Sequence, residues 1–203
     1  MYMKKNDILF DFSKKSVIVF GGSRGIGEEI CRQFKNSNAT VYCAARTHCN
    51  IKGVINIKCD ISKPGDIYRL FDKFENIDFV INVAGTNLCK TIDNIDLSEW
   101  NRLMDVNLKS FFIISKKSVE IMKASGGRIV NVSSIAGRHK SIVSGVHYTS
   151  SKYGIVGLTK QLAHEVSKYN ILVNCVCPSQ TMTKMLKESM STKEIENLSK
   201  NIP

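Results

Sequence analysis

Along the chain, short unbroken apolar runs alternate with longer stretches whose apolar residues recur every three or four positions. Val17-Ile18-Val19-Phe20 is the first run, the pattern of a strand covered on both faces. Gly21-Gly22-Ser23-Arg24-Gly25-Ile26-Gly27 follows, and Ile30 and Phe34 then carry a helix over about Gly25 to Lys35. Further strands are predicted at Thr40 to Ala45, Val54 to Cys59, Phe79 to Ile81, Arg128 to Val132 and Ile171 to Cys177. Ser62-Lys63-Pro64 opens a helix with Ile67, Leu70, Phe71 and Phe74 on one face. Ser98 is the predicted cap of a helical stretch that carries Trp100, Leu103, Met104 and Val106. It runs through Asn107 to about Lys123, and Gly126-Gly127 breaks it. A long helix is predicted from Tyr148 to about Tyr169. Strands alternating with helices through short loops predict one α/β domain over 1–203, a doubly wound parallel sheet with a helix layer on each face. Ligands of such sheets bind beyond the carboxyl ends of the strands, near the point where strand order reverses.

Composition narrows this picture. The 203 residues, 43% hydrophobic and 23% charged, fit a single globular domain with a sizeable core. No apolar run approaches the roughly 18 residues that a membrane span requires. Met-Tyr-Met-Lys-Lys-Asn-Asp at the start is not followed by the apolar segment of a secretory signal. Seven cysteines, at 31, 43, 49, 59, 89, 175 and 177, lie without a C-x-x-C pair, which predicts reduced core thiols and a cytoplasmic location. Cys43, His48 and Cys49 suggest a metal set, but no second pair completes it, and no metal is expected. The net charge of +11 raises a nucleic-acid partner, yet the lysines are spread along the whole chain and no recognition-helix pattern stands out. A solvated basic surface is the expectation, with neither nucleic acid nor membrane as partner.

Two stretches carry candidate chemistry. A strand, a glycine turn and a helix start form an anion site. Backbone N–H groups converge there, the helix dipole is positive, and missing Cβ atoms let a pyrophosphate approach. The spacing is Gly-x3-Gly-x-Gly rather than G-x-G-x-x-G, and a simple helix-capping turn is the other reading. Tyr148 and Lys152, four apart on one helix face, are the second stretch. An ammonium beside a phenol favours the phenolate and brings it toward the range useful for proton transfer. A chance surface pair is the alternative.

The ordered set of Val19-Phe20-Gly21-Gly22-Ser23-Arg24-Gly25-Ile26-Gly27, Asn82-Val83-Ala84-Gly85, Asn107, Ser133-Ser134, Tyr148-Thr149-Ser150-Ser151-Lys152 and Val173-Asn174-x-Val176-x-Pro178 resembles the short-chain dehydrogenases/reductases of the single-domain type. The resemblance runs from about Lys15 to the end and implies a Rossmann-like fold and a ketone–alcohol oxidoreductase. It makes Tyr148 the proton donor or acceptor, Lys152 the residue that tunes Tyr148 and holds the nicotinamide ribose, and Ser134 the group on the substrate oxygen, with Ser133 the competing serine. Asn107 would interrupt its helix and position a water in a relay to Lys152. Gly21, Ser23, Gly25, Ile26 and Gly27 would shape and contact the pyrophosphate turn, Asp60 and Ile61 the adenine, and Asn82, Ala84 and Gly85 the adenosine ribose side. Pro178, Thr181 and Thr183 would line the nicotinamide and phosphates. Asn82 and Asp60 could instead cap neighbouring turns.

Arg24 in the turn and Arg46 after the second strand, with no acidic residue at that strand end, predict NADP(H) over NAD(H). Phe20 replaces the usual threonine before the first glycine, and Ser179 the usual glycine after the proline. The loop carrying Arg138-His139-Lys140 through Val146-His147 is expected at the substrate mouth. By pattern the chain looks most like the 3-oxoacyl-carrier-protein reductases, which implies a small-molecule or carrier-bound carbonyl substrate and a homodimer or homotetramer. A sugar or nucleotide-sugar ketoreductase is the alternative within the family, and a non-catalytic cofactor-sensing regulator the alternative of another class. The resemblance also implies a substrate lid over 181–203, with Met182, Met185, Leu186 and Met190 on its apolar face and a short helix from Lys193 to Ser199 capped by Thr192. It implies further that a seventh strand is missing, so that the chain is incomplete, aggregation-prone and weakly active.

Overall fold

The computed structural model describes residues 10–183 and Lys193. Met185, Leu186, Met190, Thr192 and the predicted lid helix beyond Lys193 lie outside the described residues. Six strands, β1 (Ser16–Phe20), β2 (Thr40–Ala45), β3 (Ile55–Lys58), β4 (Phe79–Asn82), β5 (Gly127–Val132) and β6 (Ile171–Val176), form one parallel sheet in the order β3-β2-β1-β4-β5-β6. The chain leaves β1 toward one edge and returns to β4 on the other side of it, so strand order reverses between β1 and β4 and a crevice opens there.

Side chains alternate across the pleat, and this splits the apolar run of β1 between two cores. Ile18 and Phe20 face a cluster with Ile67, Leu70 and Phe71 of α2 (Pro64–Phe71) and Ile113, Ile114 and Met122 of α4 (Ser110–Met122). Val17 and Val19 face Cys31 of α1 (Gly25–Asn36), with Val41, Cys43 and Ile81. Val17, Ile18, Val19 and Phe20 are all sealed from solvent. Phe20, in the place of the usual threonine, stacks on Phe71 with ring centroids 5.9 Å apart.

Three local features differ from the sequence prediction. The stretch predicted as one helix to Lys123 is α3 (Leu97–Met104), a π turn (Asp105–Lys109) and α4. Its cap is Asp96, whose carboxylate accepts the Glu99 N–H at 2.9 Å, while Ser98 donates its hydroxyl to the same carboxylate at 2.6 Å. Asp96 caps more strongly because its oxygen reaches the third residue of the helix. The long helix α5 (Val146–Val166) begins two residues before Tyr148, so the tyrosine sits inside its first turn.

Asn82 on β4 donates to Asn131 on β5 at 2.7 Å, and Asn131 donates to Thr159 on α5 at 2.9 Å. This buried polar chain fastens α5 to the middle of the sheet and fixes where its first turn stands.

Phe71→Ala should lower stability by about 3–5 kcal/mol, since it removes a buried ring that Phe20 stacks upon. The urea midpoint should fall at an unchanged slope.

Candidate active site

A cleft of about 530 Å³ lies over the carboxyl ends of β1, β2, β4 and β5. Its floor is the turn between β1 and α1. Gly21 leaves β1 with φ +87°, and a Cβ there would stand 2.7 Å from the Ala84 backbone. At Gly27 a Cβ would stand 2.2 Å from the Gly21 carbonyl oxygen, so α1 closes onto the turn only with glycine. The α1 N-terminus therefore faces the cleft, a cradle suited to a pyrophosphate.

Gly21, Ser23, Arg24, Gly25, Ile26 and Gly27 line this cleft, as do Arg46, Asp60, Ile61, Ala84, Gly85, Pro178, Thr181 and Thr183. Arg24 and Arg46 bring two guanidinium groups to its β2 side, where the Ser23 and Thr47 hydroxyls are 2.9 Å apart. Thr47 had no motif of its own; its place beside Arg46 is its only sequence signal. The Asp60 carboxylate accepts the Ser62 N–H at 3.1 Å and the Ser62 hydroxyl at 2.8 Å, so it holds the approach to α2 while also lining the cleft.

Asn82 does not line the cleft. It is sealed beneath the floor in the chain to Asn131 and Thr159, with its Oδ1 unpartnered among the described residues. His147 is likewise buried, with neither ring nitrogen partnered among the described residues. Arg138, His139 and Lys140 point to solvent, whereas Ser141, Val143 and Ser144 from the same loop line the cleft.

Ser134, Tyr148 and Lys152 meet at the β5 end. Ser133 is buried, and its hydroxyl donates to the Lys152 carbonyl at 2.8 Å, which ties it to α5. Ser134 Oγ accepts the Ala136 N–H at 3.1 Å, and its hydroxyl faces the Tyr148 phenol. The Lys152 ammonium donates to the Val132 carbonyl at 3.3 Å and lies 5.5 Å from the centre of the Tyr148 ring.

Asn107, in the π turn, is sealed behind this group. Its amide accepts the Thr86 N–H and donates to the Thr86 carbonyl, both at 2.8 Å, and donates to Ser151 at 3.3 Å. Its side chain thus clamps the loop after β4 to α5.

Burial shapes both titrating groups. It raises the Tyr148 phenol above its ordinary value, and the Ser134 hydroxyl partly offsets this. The expected lowering by Lys152 is absent. Burial strips water from that ammonium and brings its pKa down to about 8. Tyr148 is therefore held protonated, the form that can give a proton to a carbonyl oxygen.

No helix among the described residues is long and apolar enough to cross a membrane. A 3β-hydroxysteroid dehydrogenase of Mediterraneibacter gnavus is 31% identical over 90% of this chain and 71% of its own length. A 3-oxoacyl-[acyl-carrier-protein] reductase of Buchnera aphidicola is 30% identical over 94% of this chain and 83% of its own. Among solved structures, a Pseudomonas aeruginosa RhlG/NADP active-site complex superposes with a TM-score of 0.88 at 25% identity, covering 96% of this chain and 84% of that one. Residues 15–194 match the short chain dehydrogenase family, and the chain belongs to this family of NAD(P)-dependent oxidoreductases.

Proposed function

We propose that the protein reduces a ketone to a secondary alcohol with NADPH, and that its substrate is a 3-oxoacyl thioester on an acidic carrier. One observation carries this reading: Ser134, Tyr148 and Lys152 converge at one end of a cleft whose other end holds the glycine turn with Arg24 and Arg46. When bound, the nicotinamide dinucleotide supplies the hydride. Gly21, Gly25 and Gly27 hold its pyrophosphate, Arg24 and Arg46 its 2′-phosphate, and Lys152 the ribose beside the nicotinamide. Ser134 donates its hydroxyl proton to the substrate carbonyl oxygen and stabilises charge gathering there. Tyr148 passes its phenolic proton to the same oxygen, so that no free alkoxide forms. Asn107 keeps the loop after β4 against α5, and the relay that returns a proton to Tyr148 runs past it to Lys152. A net charge of +11 draws in an anionic carrier, and the identity to carrier-protein reductases supports that substrate.

Tyr148→Phe should reduce turnover about 10²–10⁴-fold, the usual size of a lost general acid. Cofactor affinity, followed by quenching of NADPH fluorescence, should stay near wild type. Near-normal turnover on a panel of 3-oxoacyl thioesters and keto-sugars would overturn the assignment.

Arg46→Ala should weaken NADPH by about tenfold or more, the loss of one charge-assisted contact, and leave NADH almost unchanged. Parallel titrations of the two cofactors give the ratio directly.

Lys152 carries a pKa of about 8 in the folded chain against an ordinary value of 10.5. Between these values the unfolded chain holds the proton and the folded chain does not, so stability gained from this group rises with pH across that window. Urea unfolding at a series of pH values should show wild type gaining on Lys152→Met from about pH 8 upward. A flat difference would mean that the ammonium is not desolvated.

A further inference from the structure

Cys31 on α1, Cys43 on β2 and Cys49 in the loop after β2 bring their sulfur atoms to within 4.8 Å of one another. All three are sealed from solvent, at 0–1% exposure. His48, the nitrogen donor that the sequence offers beside them, is exposed and stands outside the group. Cys31 takes its place from across the β1–α1 turn.

The three sulfurs are held by different rigid supports. Cys43 is a strand residue paired with Val19 and Asn56. Cys49 is fastened at both backbone groups to Asn56, donating its N–H to Oδ1 at 2.8 Å and accepting from Nδ2 at 3.1 Å. Cys31 is fixed in the second turn of α1. Gly22 lies directly over the group: a Cβ there would stand 2.6 Å from the Cys31 sulfur and 3.0 Å from the Cys43 sulfur.

We propose that Cys31, Cys43 and Cys49 form a three-sulfur site for a soft monovalent cation, Cu(I), beneath the dinucleotide turn. Thiolates select soft cations such as Cu(I). Zinc almost always takes four ligands in a structural site, and among the described residues no fourth cysteine, histidine or carboxylate joins these three. The apolar surroundings, Val17, Val19, Val41 and Ile81 among them, exclude the water that would complete a tetrahedron. Binding displaces thiol protons to solvent as Cu–S bonds form, with no change of oxidation state. Because the site touches Gly22, a bound cation also braces the turn between β1 and α1.

The full chain, kept reduced without oxygen, is titrated with Cu(I) against a coloured Cu(I) chelator. One Cu(I) per chain should resist the chelator, and the melting temperature should rise with loading. Cys43→Ser and Cys31→Ser should lose this uptake, while Cys89→Ser, at an exposed thiol, should keep it. X-ray absorption on loaded wild type should find three sulfur neighbours at about 2.3 Å, the scale of d10 metal–thiolate bonds. If the serine variants do not fold, this spectrum decides alone. No stoichiometric uptake by wild type, equal uptake by folded Cys43→Ser, or two or fewer sulfur neighbours would each overturn the proposal.

Discussion

The Phe20 carbonyl oxygen accepts two backbone N–H groups, from Val83 and Ala84, each at 2.9 Å. This shared acceptor ties the last residue of β1 to the chain just past β4, at the point where strand order reverses. Gly21 then donates to the Ala44 carbonyl at 2.8 Å, which joins the end of β2 to the same knot. The approach leaves no room for a side chain at position 21, and the glycine turn follows from that. From Ala84 the chain runs to Thr86, which Asn107 grips by both backbone groups. Asn107 in turn bonds Ser151 on α5, next to Lys152. The anion cradle and the proton-transferring end of the cleft are therefore one continuous set of close contacts.

Electrostatics divides the cleft in the same way. At the β2 side, exposed guanidinium groups offer charge that salt screens only partly when a phosphate lies between them. At the β5 side, burial lowers the Lys152 pKa and raises that of the Tyr148 phenol, so at neutral pH the pair is an ammonium beside a neutral phenol. The Ser133 bond to the Lys152 carbonyl explains why two adjacent serines have separate duties. One secures the backbone of the helix that carries lysine and tyrosine, and the other holds the Ala136 N–H at the cleft wall.

Much of this was legible in the sequence where the physics is local. The β1 run, the glycine turn and the Tyr148/Lys152 spacing depend on neighbours within a few positions. Asp96 was legible too, as an aspartate three residues before Glu99, but the adjacent Ser98 obscured it. Asn82 was not legible, because its partner Asn131 lies 49 positions away and becomes a neighbour only through the sheet. The raised Tyr148 pKa was missed for a similar reason, since spacing reports that a lysine is near but not that the phenol is buried. Cys31, Cys43 and Cys49 come from a helix, a strand and a loop, and no linear spacing announces that they meet.

The π turn at Asp105–Lys109 sets the phase of everything after it. One residue advances an α-helix by about 100°, and a π turn absorbs one residue more than an α turn. α4 thereby keeps its phase with α3, with Phe111 sealed at 0% exposure while Phe112 stands 53% exposed beside it. Removal of one residue from this turn would restore a plain α-helix with Phe111 still inward, but would take away the bulge from which Asn107 reaches Thr86. The extra residue thus serves the grip on Thr86 rather than the packing of α4.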